Sequence, residues 1–308
     1  MIIDSHTHIR LDTILTDRYW KGWIGIAHES SGVPKEKIRN KIEGTIVHAG
    51  ADELIQAMDE AGVDKAVVIV VDFGWCKDIG YSSLTWEEVH QPVVDAVRKY
   101  PDRLIMEIGI DPRRPNAVEL VERGVKEWGA KGLKLHPCVG VYPNDPICYP
   151  VWEKAQELGI IIHIHTGTEP WPFRIKYCQP IFVDDVAVDF PDATIVMAHC
   201  GMWDWQQTMT VVGQKPNVLV DLAVWQQWAH TNPVEFFRCL RTMFDWVGYR
   251  RFMIGSDWPA VSLLMSEKRW FDIFRSIPEE VTAAGIEFKK HEIDGLLGDN
   301  AARILQLT

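Results

Sequence analysis

The 308-residue sequence has no long apolar run, no closely paired cysteines and no cluster of positive charge. No stretch reaches the ~18 consecutive apolar residues that a membrane span needs. The N-terminus lacks the basic-then-apolar pattern of a secretory leader. A cytoplasmic protein with no membrane partner is therefore expected. The six cysteines, Cys76, Cys138, Cys148, Cys178, Cys200 and Cys239, form no C-x-x-C pair. They read as reduced thiols rather than a disulfide framework. The net charge is −11, from 32 basic and 43 acidic residues. Without a Lys/Arg cluster, that balance argues against a nucleic-acid partner. It leaves room for an anionic small molecule, since one local arginine outweighs the global field. The chain also lacks G-x-G-x-x-G after its first apolar run, which disfavours a doubly wound nucleotide-binding sheet. Low-complexity tracts and solenoid repeats are absent as well.

What the chain does have is alternation. β-Branched runs occur at 2–8, 64–71, 104–110, 131–136, 160–165, 193–199, 217–222 and 251–256. Helical patterns separate them at 51–61, 86–99, 115–128, 149–158, 181–189, 233–244 and 264–275, and a closing helix is expected near 292–306. Eight strands alternating with helices predict an α/β fold, a single-domain (β/α)8 TIM barrel over residues 1–308. Residues 9–50 interrupt the rhythm as a long connection after strand one. At that place it would lie over the catalytic face as a lid or insertion.

In such a barrel the site sits at the C-terminal ends of the strands. Reading only those ends collects histidines. Strand one ends in His6 and His8, two positions apart and therefore on one face. Strand four ends in Lys134 and His136, strand five in His163 and His165, and strand six in His199. Asp257 follows strand eight within Gly255-Ser256-Asp257-Trp258-Pro259. Neutral imidazoles and a carboxylate are good ligands for a divalent ion, with Zn²⁺ the first choice and Mn²⁺ or Fe²⁺ the alternatives. His6, His8, His165 and Asp257 are the candidate ligands. His199 is left free to act in catalysis together with Asp257.

Each member alone has an ordinary reading: a short spacing coincidence, a core histidine, a helix cap. His163 reads as a buried residue one layer below His165, and His136 either faces the pocket or bonds to its loop. Lys134 reads as an ion-pair or substrate-contacting residue. The alternative is a carboxylated lysine bridging two metals. His28, His48, His90, His230 and His291 read as surface residues. Candidate substrate contacts are Arg10, Lys134, His136, Trp171, Arg174, Trp203 and Trp258. Fourteen tryptophans, several of them just after strand candidates, suggest an aromatic-lined pocket.

Five ordered blocks resemble the amidohydrolase superfamily, in particular the amidohydrolase-related group that contains aminocarboxymuconate-semialdehyde decarboxylase. They are Ile3-Asp-Ser-His-Thr-His8, Lys131-Gly-Leu-Lys-Leu-His-Pro137, Ile162-His-Ile-His-Thr-Gly167, Val196-Met-Ala-His-Cys-Gly201 and Ile254-Gly-Ser-Asp-Trp-Pro259. Asn300-Ala-Ala-Arg-Ile-Leu305 looks like the group's closing helix. The resemblance implies one divalent metal on His6, His8, His165 and Asp257. It also implies a catalytic His199 and, in some relatives, a homodimer.

Two reactions fit the pattern. The first reading is a hydrolase that attacks a cyclic or aromatic carboxylate-type substrate (a lactone, ester, amide or activated C–C bond) through a metal-bound hydroxide. The alternative is a non-oxidative decarboxylase of an aromatic or unsaturated acid. That reaction needs a cation for the carboxylate, and Arg10, Arg39 and Arg174 are the loop arginines considered. A barrel that only binds ligands is a third class, and a full ligand set argues against it.

Overall fold

The computed structural model describes residues 1–307. Each apolar run contributes a strand: β1 (Ile3–Thr7), β2 (Lys65–Ile69), β3 (Leu104–Gly109), β4 (Gly132–Leu135), β5 (Ile161–His165), β6 (Ile195–Ala198), β7 (Val218–Asp221) and β8 (Phe252–Met253). All pair in parallel and in sequence order, β1 through β8. Buried on both faces, they read as near-continuous Val/Ile runs, as parallel strands under helices do. Helices fall between them where the 3.6-residue period predicted. The helix Trp86–Lys99 starts at a capping box: Glu88 N–H donates to Thr85 Oγ1 (3.2 Å), and Thr85 N–H donates to Glu88 Oε2 (2.7 Å).

Strand eight is shorter than its 251–256 pattern. After Met253 the chain turns its amides and carbonyls to β1 and closes the barrel. Ser5 N–H donates to Ile254 O (2.9 Å), Asp257 N–H to His6 O (2.8 Å), and Ser256 N–H to the Asp4 carboxylate (2.9 Å). Gly255 permits this approach, because a Cβ there would lie 2.7 Å from the His6 Cβ. A one-residue register shift in β1 between Asp4 and Thr7 falls beside the same closure. At the opposite end, Ile3, Val67, Ile161, Met253 and Leu305 fill the barrel floor.

The 9–50 segment is helical, not an open loop. It contains α1 (Asp17–Ser31) and α2 (Lys35–Ile42), which runs on into a π-helical stretch at Glu43–Val47. Its glycines hid the pattern. Gly22 lies inside α1 because the carbonyl of Trp171 presses on it, and a Cβ would sit 1.9 Å from that oxygen. The expected closing helix is present as one contiguous helical run, Lys290–Asp294, a π-helical stretch Gly295–Asp299 and Asn300–Ile304.

His90 departs from its surface reading. It is fully buried, donates from Nδ1 to Trp86 O (2.6 Å) and accepts at Nε2 from Gly109 N–H (2.9 Å). It fastens its helix to β3. His48, His230 and His291 are exposed, and His28 is half-buried. All six cysteines are free thiols and buried. Among the described residues no helix is long and apolar enough to cross a membrane.

Candidate active site

His6 and His8 end β1 with their rings 5.1 Å apart. His6 Nδ1 donates to Asp221 Oδ2 (3.0 Å) and His8 Nδ1 donates to Ile69 O (2.7 Å). Each ring therefore presents a bare Nε2. These two nitrogens face Asp257 Oδ1 at 3.6 Å and 3.3 Å. Burial, joined by the nearby Lys134 charge, pushes the His6 imidazolium well below its ordinary range, so this ring is neutral. Two lone pairs and a carboxylate oxygen, all within 4.8 Å, repel one another until a cation lies among them. This donor set fits a divalent ion, and the partners on the Nδ1 side fix the tautomers that such a role needs.

His165 and His199 stand beside this trio. His199 Nδ1 donates to Ala223 O (3.3 Å), so its Nε2 accepts from His165 Nδ1 (3.1 Å). His165 is thus left with a bare, buried Nε2 that makes no hydrogen bond. This atom lies 3.0 Å from Glu169 Oε1, not aligned for a hydrogen bond. It belongs to a neighbouring group with His136 and Cys178 rather than to the His6–His8–Asp257 trio. The His136 and His165 rings stack at 4.0 Å. His136 Nε2 is also 3.0 Å from Glu169 Oε1, and its Nδ1 lies 2.9 Å from Cys138 Sγ.

These residues close one end of a cavity of about 520 Å³. The rest of its wall is largely apolar. Leu11, Tyr19 and Trp23 come from the insertion, with Phe73, Phe173 and Leu264 from barrel loops. The family description Amidohydrolase matches residues 3–307. The chain belongs to the amidohydrolase family.

This amidohydrolase is 24% identical to the 2-amino-3-carboxymuconate-6-semialdehyde decarboxylase of Dictyostelium discoideum, with 99% of the chain and 91% of that protein covered. Among solved structures it resembles a 5-carboxyvanillate decarboxylase of Novosphingobium aromaticivorans complexed with manganese and a nitrobenzoic acid (TM-score 0.67, 16% identity, 100% and 96% covered). It also resembles a probable 2-pyrone-4,6-dicarboxylic acid hydrolase of Acinetobacter baumannii (TM-score 0.61, 16% identity, 99% of both chains covered). At these identities the structural matches speak for the shared barrel. A divalent metal is typical of the family, and the trio above is a fitting place for one.

The other sequence candidates of this amidohydrolase scatter. Lys134 and His136 line the cavity. Arg10 instead forks onto Asp12 (2.9 and 2.7 Å), Arg39 pairs with Glu43 (3.4 Å), and Arg174 pairs with Asp78 (3.1 Å). None of the three lines the cavity. Trp171 is 55% exposed on the outer side of α1. Trp203 is 67% exposed and joins Trp225 and Trp228 in a separate recess of about 200 Å³. Trp258 is buried, and its carbonyl accepts from His8 N–H (2.6 Å) in the barrel closure. The aromatic wall is built by Tyr19, Trp23, Phe73 and Phe173.

His163 is buried in the layer below, with Nε2 2.8 Å from Asp221 Oδ2 and Nδ1 2.9 Å from Glu107 Oε2. Two carboxylates, Asp221 beneath the site and Glu169 in its wall, give no signal in the motifs read from the sequence. Asp221 ends β7, so the strand-end rule applied to 217–222 would have found it. It organises the layer beneath the site: Oδ2 accepts from His6 and lies 2.8 Å from His163 Nε2, while Oδ1 accepts from the backbone of His199 (3.0 Å) and Ala223 (2.9 Å). Burial alone would raise its carboxyl, yet its pairing with His6 and its hydrogen bonds with His163 and His6 hold it well below the usual range. Glu169 lies four residues past His165, in the loop, where strand ends give no signal. Burial opposes its ionisation too, but His136, with Nε2 at 3.0 Å, outweighs that and keeps it a carboxylate.

Proposed function

We propose that this amidohydrolase is a metal-dependent, non-oxidative decarboxylase of a flat aromatic or unsaturated acid. The observation that carries the reading is a narrow polar end, a divalent-metal donor trio with His199 beside it, set in an otherwise apolar and aromatic cavity. The decarboxylase relative matched over 99% of the chain supports this reaction over the hydrolysis that the sequence placed first.

His6, His8 and Asp257 would hold the ion, with the bare His165 Nε2 available as a further donor. When bound, it would polarise a substrate oxygen next to the departing carboxylate. Zn²⁺ and Mn²⁺ both suit these donors. Decarboxylation replaces a carboxylate on carbon by a proton, so the site must deliver one. Asp257 carries the carboxylate closest to both bare imidazole nitrogens, and its side chain keeps partial access to the cavity, 13% exposed. It is the group that would take up a proton from a substrate hydroxyl or from solvent and pass it to the carbon that loses CO2. His199 is held in place by Ala223 O and by Trp225 Nε1, which donates to its carbonyl (2.7 Å). Burial keeps its imidazole neutral. Its Nε2 is an acceptor, now taken by His165 Nδ1–H (3.1 Å); it would accept a hydrogen bond from a substrate hydroxyl instead and so orient that oxygen beside the ion. Tyr19, Phe73 and Phe173 would sandwich the ring and keep water out.

Purified protein loaded separately with zinc and manganese, incubated with hydroxybenzoates and with lactones, tests this reading. CO2 release from an acid supports it. Hydrolysis of a lactone with no CO2 from any acid returns the assignment to the hydrolase.

A further inference from the structure

Lys134 is the single lysine or arginine among the described residues that line the cavity. It projects inward from β4, is 1% exposed, and its Nζ has no hydrogen-bond partner. A buried ammonium without an acceptor is costly, and a fold keeps one only with compensation. Part of it is the field of four carboxylates: Asp221 from β7, Glu107 from β3, Asp257 after β8 and Glu169 after β5. His6, His136 and His199 face it as well. The carboxylates are committed elsewhere. Asp221 accepts from His6 and two backbone amides and lies 2.8 Å from His163 Nε2, and Glu107 lies 2.9 Å from His163 Nδ1. Glu169 lies against His136, and Asp257 faces the His6 and His8 nitrogens. The three N–H groups of Lys134 are left for whatever enters the cavity, and the three arginines considered for that duty are paired on the outside.

We propose that Lys134 is the carboxylate-binding residue of the cavity, and that the substrate is an aromatic or unsaturated acid with one carboxylate. A second carboxylate would find no second lysine or arginine among the described residues of the lining. The inference rests on the decarboxylase reading for the reaction, but the capture itself is measurable without turnover. The rival duty for Lys134 is counter-charge to Asp221 and Glu107, a role that would not distinguish ligands.

Equilibrium binding of benzoate, neutral benzamide and the dicarboxylate isophthalate to the metal-loaded protein separates the two. Lys134→Met is expected to weaken benzoate by roughly 10- to 100-fold, the scale of one charge-assisted hydrogen bond. Benzamide affinity and metal content should stay unchanged, and isophthalate should bind the wild type more weakly than benzoate. If the variant does not fold, the wild type still answers through the ¹⁵N resonance of the Lys134 Nζ. It should move on titration with benzoate and stay still with benzamide. Equal benzoate affinity in the variant, no benzoate binding to the wild type, or an unmoved Nζ resonance overturns the proposal. Benzoate captured by Lys134 with no CO2 released from any acid would instead remove the decarboxylase reading and leave the carboxylate site standing.

Discussion

His199 and Asp257 both adopt left-handed backbone, at φ 62° and 52°, as do Arg10, Cys200, Met202 and Val224 nearby. Such conformations cost on the order of 1 kcal/mol or more for residues with a Cβ, and here they cluster at the C-terminal mouth of the barrel. Both side chains line the cavity, and no residue pattern announces the backbone that puts them there. His199→Ala is expected to retain metal, measured by plasma emission, while turnover falls by roughly 100-fold or more. Loss of metal along with activity would make His199 a ligand. His90 carries a separate prediction. Burial pushes its imidazolium down from 6.5 to about 4. The unfolded chain takes up this proton near pH 6.5 and the folded one only near 4. The stability His90 contributes is therefore complete above pH 6.5 and lost as pH falls toward 4, on the order of 2–3 kcal/mol. Urea midpoints at pH 7 and pH 4 should differ less in His90→Gln than in the wild type.

Among the elements, the insertion is the least legible from sequence. The strands were readable because Val/Ile runs and terminal histidines repeat a simple rule, and Asp221 obeyed that rule unnoticed. α1 was hidden because Gly22, Gly25 and Gly32 disguise a helical run whose apolar residues Tyr19, Trp20, Trp23 and Ile24 do share a face. Its seat is a tertiary fact, the carbonyl of Trp171 pressed against Gly22. Gly22→Ala should push α1 off the 168–173 loop that carries Glu169 and Phe173. KM should rise several-fold with metal content unchanged, since none of the metal donors lies on α1. Unaltered KM would mean that α1 does not shape the cavity. Glu169 was illegible for a related reason: a loop carboxylate gains its meaning only when two stacked imidazoles from β4 and β5 meet it.

For the molecule as a whole, the barrel spends one end on stability and the other on chemistry. The floor is filled by apolar side chains. The mouth keeps bare imidazole nitrogens, an unpartnered ammonium and several committed carboxylates within one enclosure. A divalent ion that binds the folded site and not the unfolded chain must then stabilise the protein, by about 2.7 kcal/mol at a hundredfold excess over Kd. Stripping with a chelator should lower Tm by several degrees, and zinc or manganese should restore it. An unchanged Tm would argue that the trio holds no metal. The most direct test of the whole account is product analysis of the metal-loaded enzyme with a panel of hydroxybenzoic acids in parallel with lactones. The account predicts stoichiometric CO2 and the acid's decarboxylated ring, abolished by metal removal. Lactone opening with no CO2 from any acid would contradict it.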